Sequence, residues 1–153
     1  MALRPVLQFP DPRLKRVSKP IAKITDKIRA LAGDMLEVMY DEPGIGLAAP
    51  QVGESVRLFV MDTTWTEEGS ERSPIVVVNP EIIEREGTIT WNEGCLSVPD
   101  FQAEVERAAR VRLRGQDLEA SPSKRRPPSC ARSASSMRSI TWTASSSSTA
   151  SVA

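Results

Sequence analysis

Gly44-Ile45-Gly46-Leu47-Ala48-Ala49-Pro50-Gln51-Val52-Gly53 and, further along, Trp91-Asn92-Glu93-Gly94-Cys95-Leu96-Ser97-Val98-Pro99 are the segments from which the rest of the chain can be read. In the first, small residues let the backbone approach a ligand closely. A glutamine beside them can donate a side-chain N–H to a developing oxyanion. Gly44-x-Gly46-x-x-Ala49 also fits the loose dinucleotide fingerprint. That fingerprint needs a strand before it and a helix after it. Here a helical pattern precedes it, and Pro50 blocks a clean helix start, so nucleotide binding is set aside. A glycine turn explains the doubling back of the chain but not the small-residue run or Gln51. In the second segment, Cys95 taken alone reads as a small buried hydrophobe. As a nucleophile it lacks a base, because the chain contains no histidine. As a metal ligand it is one donor where a catalytic site uses about three.

The flanking sequence supplies the frame. Ile28, Leu31, Ala32, Met35, Leu36 and Met39 recur at helical spacing, predicting a helix over Ile24 to Tyr40. Thr25 is the expected N-cap and Asp26 suits the first turn. Pro43-Gly44 ends the helix. Downstream the apolar runs are short. Val56–Met61, Ile75–Asn79 (closed by Pro80), Ile82–Glu86, Thr88–Trp91, Gln102–Val105 and Val111–Arg114 read as strands. Gly87 suggests a hairpin or bulge, and Thr63–Ser73 a polar loop. One helix followed by short strands predicts an α+β fold, with strands mostly antiparallel.

Composition divides the 153 residues into two parts. All 20 acidic residues lie within 1–119, giving that part a net charge of −5. Residues 120–153 hold no acid, 12 serines and only Lys124, Arg125, Arg126, Arg132 and Arg138 as cations. Their small apolar area cannot offset ordering entropy, so 1–119 reads as the domain and 120–153 as a disordered basic tail. Sparse charge without an aromatic ladder gives the tail no nucleic-acid signature. The zero net charge speaks against binding through bulk positive charge. No apolar run reaches membrane-spanning length, and Met1–Pro5 does not begin a secretory signal. Two cysteines make no disulfide framework, so a cytoplasmic protein is expected.

GIGLAAPQVG followed by EGCLSVP resembles the peptide deformylase family, from about Leu7 to Glu119. The resemblance implies an α+β fold and removal of the formyl group from the N-terminal methionine of nascent polypeptides, near the ribosome, by a monomer. It implies an iron(II) cofactor, replaceable by nickel, cobalt or zinc, with Cys95 as its thiolate ligand. Gln51 and the backbone N–H of Leu96 would stabilise the oxyanion. Gly46 would hold the substrate backbone as an extended strand. Ile45 and Glu93 would shape the pocket for the methionine side chain. Family chemistry is amide hydrolysis by a water whose pKa a metal lowers towards ~7.

The family's remaining parts come from H-E-x-x-H on a helix, whose spacing puts two imidazoles on one face with a glutamate as base. This chain has no such motif, and both imidazoles and that carboxylate are missing. A shifted reading frame recovers it. One permitted codon choice for Ser135–Ser148, read from the last base of its first codon, gives Gln-His-Glu-Ile-Asp-His-Leu-Asp-Gly-Lys-Leu-Phe-Val. Met137 and Trp142, each with a single codon, both fit. A frameshift near Ala120–Pro128 would account for the serine excess, the loss of acids and the lost metal-binding helix. The chain as written is then expected to retain no metal and no hydrolysis. The alternative is a non-catalytic remnant that binds N-terminal peptides. A cysteine hydrolase is set aside for want of a base.

Overall fold

The computed structural model describes residues 4–42, 44–63 and 71–119, and the backbone of 137–143. Helix α1 spans Asp26–Asp41 and buries Leu31, Ala32, Met35 and Met39 of the predicted stripe together with Val38, while Ile28 and Leu36 are only partly buried against the core. Thr25 takes the N-cap position with extended backbone, but its side chain makes no capping bond. At the other end the Gly44 N–H donates to Met39 C=O at 2.9 Å, and the chain turns into strand β1, Gly46–Ala48.

Strands β2 (Leu58–Met61), β3 (Ile75–Glu86), β6 (Arg110–Gln116) and β7 (Met137–Thr143) complete a sheet ordered β1-β2-β3-β6-β7. Strands β4 (Ile89–Cys95) and β5 (Val98–Arg107) pair separately, and every pairing between these strands is antiparallel. The fold is therefore α+β. Its core lies where α1 crosses β1 and β2, with Met35, Met39, Leu47, Val60 and Val78 fully buried.

Three features differ from the sequence reading. Pro80 does not close a strand: β3 runs through it to Glu86. Asn79 sits at φ 51°, and the register shifts between Val78 and Glu81. This irregularity accommodates a residue with no N–H to donate. Gly87, at φ 67°, does not join a hairpin either, because β3 pairs with β6 and β4 with β5. Instead Gly87 lies on the link from β3 to β4 and Ala108-Ala109 on the link from β5 to β6, where the Ala109 N–H donates to Gly87 C=O at 3.4 Å. Finally, composition predicts no ordered element after residue 119, whereas the backbone of Met137–Thr143 pairs with β6 in full register. Ile140-Thr141-Trp142-Thr143 is a β-prone run facing an otherwise open strand edge, which is the local reason. The rest of the expected tail lies outside the described residues.

A second shift, between Ile82 and Glu84, changes which face the odd and even residues of β3 occupy. Glu81, Glu84 and Glu86 therefore all face β6, on Arg114, Arg112 and Arg110 at 4.0, 2.8 and 3.0 Å. These pairs are exposed and contribute only tenths of a kcal/mol each, up to about 1. Their effect is on register more than on total stability.

Asp62, at the end of β2, is 1% exposed. Its carboxylate accepts from Tyr40 Oη and from the Ser73 N–H, both at 2.7 Å, so it ties α1 to the segment that enters β3; most of the expected polar loop over Thr63–Ser73 lies outside the described residues. Arg72 stacks 4.2 Å from the Tyr40 ring centroid. Burial, then the bond to Asp62, pushes the Tyr40 phenol up to about 12 from 10.0. The folded state thus holds this proton more tightly than the unfolded chain. That stabilisation is complete below pH 10 and is lost as pH rises through 12. Tyr40→Phe is expected to destabilise by about 1 kcal/mol at pH 8. In urea titrations, the gap between parent and variant should narrow between pH 10 and 12; a constant gap would contradict the assignment.

Candidate active site

Gln51 lies in a one-turn 3-10 segment, Ala49–Val52, with Pro50 at its start and Gly53 in the left-handed region at φ 86° at its end. Pro50 presets the entering turn, and Gly53 allows the sharp exit. The Glu54 N–H closes the turn on Ala49 C=O at 3.0 Å. Gln51 is 6% exposed, and its Oε1 accepts from the Ala48 N–H at 2.9 Å. The Ala48 amide thus points away from β2. By strand alternation, the backbone groups of Gly46 face that same outer edge of β1.

Cys95 ends β4 after a register shift at Gly94, and a tight turn through Leu96 and Ser97 leads into β5. The turn faces the first segment. Gln51 Nε2 stands 3.2 Å from Ser97 Oγ and 4.0 Å from Cys95 Sγ. A Cβ on Gly44 would come within 2.9 Å of Leu96 Cδ1, so a residue without a side chain allows this approach. The N-terminal segment fastens the two motifs: the Leu7 N–H donates to Gln51 C=O at 2.7 Å, and the Phe9 N–H to Ser97 C=O at 2.8 Å.

The structure therefore places Gln51, Cys95 and Leu96 together, next to the β1 edge that carries Gly46. Ile45 is half-buried, and its carbonyl accepts from the Asp62 N–H at 2.9 Å. Glu93 is buried in the same hairpin, and Arg107 grips its carboxylate through Nε at 3.2 and 3.3 Å and Nη2 at 3.0 Å. Glu93 is thus held as half of an ion pair. Sequence reasoning missed Arg107 and Ser97. Arg107 was accessible through alternation, since Ala103, Val105 and Arg107 share the β5 face opposite Glu93 and Trp91. Ser97 gave no signal, since a serine in a turn is ordinary. Trp91 Nε1 is buried without a hydrogen-bond partner among the described residues, which marks this face as incompletely satisfied.

Among the described residues, no three His, Cys, Asp or Glu side chains converge on one point. Cys95 is a single sulfur donor, and its polar neighbour, the Gln51 amide nitrogen, donates hydrogen bonds and ligates nothing. The residues present do not fit a catalytic metal site with three protein ligands. Among the described residues, no helix is long and apolar enough to cross a membrane.

Residues 3–126 match the family model described as polypeptide deformylase. A peptide deformylase from Alkalilimnicola ehrlichii is 55% identical over 122 residues, covering 80% of this chain and 67% of that protein. One from Afipia carboxidovorans is 52% identical over 120 residues, covering 78% and 69%. The crystal structure of a peptide deformylase from Legionella pneumophila superposes with a TM-score of 0.77 at 35% identity, covering 94% of this chain and 73% of that one. Both the glycine-rich segment and the Cys95 segment lie inside the matched region, and the chain belongs to the polypeptide deformylase family.

Proposed function

We propose that this chain keeps the peptide-binding half of a deformylase and has lost the hydrolytic half. The family activity is removal of the N-formyl group from the methionine of nascent polypeptides. Supporting the first half are the outer edge of β1, which pairs with no described strand, and the convergence of Gln51 and Leu96 beside Cys95. Its partners are N-formylmethionyl peptides, taken up as an added strand along β1 in the cytoplasm. Against hydrolysis stands one observation: Cys95 is the single family ligand in a chain with no histidine, and no carboxylate joins it among the described residues. A lone thiolate does not retain iron, nickel, cobalt or zinc at a useful affinity. No step through a metal is therefore available to these residues. The orphaned Trp91 Nε1 agrees with an element missing from this face.

Metal analysis and a formyl-peptide assay on the purified chain test this directly. The expected metal content is under about a tenth of an equivalent after gel filtration. N-formyl-Met-Ala-Ser should be hydrolysed no faster than in buffer, while the same peptide perturbs the Gln51 and Leu96 amide resonances. Stoichiometric metal with turnover would overturn the loss of hydrolysis. Unmoved resonances at millimolar peptide would overturn the retained binding.

A further inference from the structure

Gln51 has a planar carboxamide with one acceptor and two donors, and the structure uses them in a fixed order. The Ala48 backbone nitrogen can only donate, so the atom facing it at 2.9 Å must be Oε1. That settles which way round the amide lies without reference to any other partner. The amide nitrogen then faces Ser97 Oγ at 3.2 Å, in a contact where both side chains are buried. With one N–H directed at Ser97, the planar geometry fixes the direction of the other. Cys95 Sγ, at 4.0 Å from the same nitrogen, marks the side towards which the group can donate.

The backbones of the same two residues are clamped independently by the Leu7 and Phe9 N–H groups, which donate to the carbonyls of Gln51 and Ser97. That strap is anchored in turn. Arg4 reaches Asp34 on α1 at 2.9 Å and Glu54 at 3.0 Å, and Leu7 is buried.

We propose that Ser97 is a positioning residue: its hydroxyl, in a turn held by the Leu7–Phe9 strap, fixes the Gln51 carboxamide so that its second N–H is presented beside Cys95. This rests on the reading of Gln51 as the donor to a substrate oxyanion, and it identifies what preorganises that donor. Without Ser97 Oγ, the carboxamide keeps only the Ala48 anchor and can swing about its last torsion.

The test is made on the full 153-residue chain by NMR, without peptide, so it stands or falls separately from peptide binding. The chain has four glutamines, Gln8, Gln51, Gln102 and Gln116, so the side-chain amides can be assigned by single substitution. Gln51 Hε exchange with solvent is expected to be at least about tenfold slower than that of exposed Gln8. Ser97→Ala should bring it to within about twofold of Gln8 and draw its two Hε shifts together, while the backbone spectrum stays native. Ser97→Thr, which keeps the hydroxyl, should restore both features. If Ser97→Ala fails to fold, Ser97→Cys, close in size but a weak acceptor, is held to the same expectation. A folded variant lacking the hydroxyl whose Gln51 amide remains protected and split would overturn the proposal. So would failure of the folded threonine variant to rescue.

Discussion

If the reading frame shifts near Ala120–Pro128, restoring it is expected to convert a chain proposed above to lack formyl-peptide hydrolysis into a metal-loaded amidase. The gain should be at least about a millionfold over the buffer rate, the lower end of enzymatic accelerations. Its basis is the division of the chain at that point. The described residues up to Gln116, the end of β6, include the helix, four of the five strands of the sheet and the hairpin that carries Cys95. The family match runs only to residue 126. The match covers 67% and 69% of two relatives. On the frameshift reading, one permitted codon choice for Ser135–Ser148 would supply H-E-x-x-H in the region after β6. It would add two imidazoles and a carboxylate to a site that otherwise holds one thiolate. Metal content should rise to one equivalent, and activity should disappear on chelation. Replacing Cys95 by alanine in the restored protein should abolish both. A restored chain that binds metal but hydrolyses nothing would show that the retained half is not functional. A gene that cannot encode H-E-x-x-H in either shifted frame would end the frameshift account.

Gly115→Ala should cost about 3 kcal/mol, at the upper end for overpacking by a single methyl group. Gly115 is buried in β6, beside the register shift that takes β3 past Pro80. A Cβ there would overlap Val77 Cγ1 and lie 3.2 Å from Val78 O. Neither neighbour can move cheaply: Val77 has one stiff torsion, and Val78 O belongs to the central strand. A loss of this size is a large fraction of the roughly 5–15 kcal/mol typical of whole domains. Gly33→Ala provides the contrast. It lies within α1, and a Cβ at this position would meet nothing within 4 Å, so it should stabilise by about 0.5–1 kcal/mol. Urea midpoints for the two variants should therefore move in opposite directions. A neutral Gly115→Ala would mean that the β3–β6 contact is looser than its geometry.

The helix was legible because its signal is redundant. Five buried side chains repeat at helical spacing between two turn signals. The strands were legible as strands but not as a topology. Ile82–Glu86 and Ile89–Cys95 are adjacent in sequence yet belong to different sheets, and no local pattern distinguishes a link through Gly87 from a hairpin. Pro80 misled because a proline normally marks a strand end. The exception depends on Asn79 adopting φ 51° with its side chain on the Ile21 backbone, a contact with a residue 58 positions away. For the site, Gln51 and Cys95 were legible as motif residues, whereas their neighbours were not. Ser97 acts through a contact set by a turn, which its residue type does not encode, whereas Arg107 was within reach of strand alternation once β4 and β5 were paired. The strap of Leu7 and Phe9 holds Gln51 and Ser97 through backbone N–H groups, which no side-chain pattern encodes.

The strand order leaves β1 at one margin of the sheet and β7 at the other. They differ as templates for self-assembly. The β1 margin is three residues long and is interrupted by the proline that follows it, features that discourage runaway polymerisation. The β7 margin is seven residues, Met-Arg-Ser-Ile-Thr-Trp-Thr, with a single charge and no proline, and no described residue pairs with its far side. Such a margin invites another molecule to stack in register. The β7 margin is thus a colloidal liability at the opposite end of the sheet from β1.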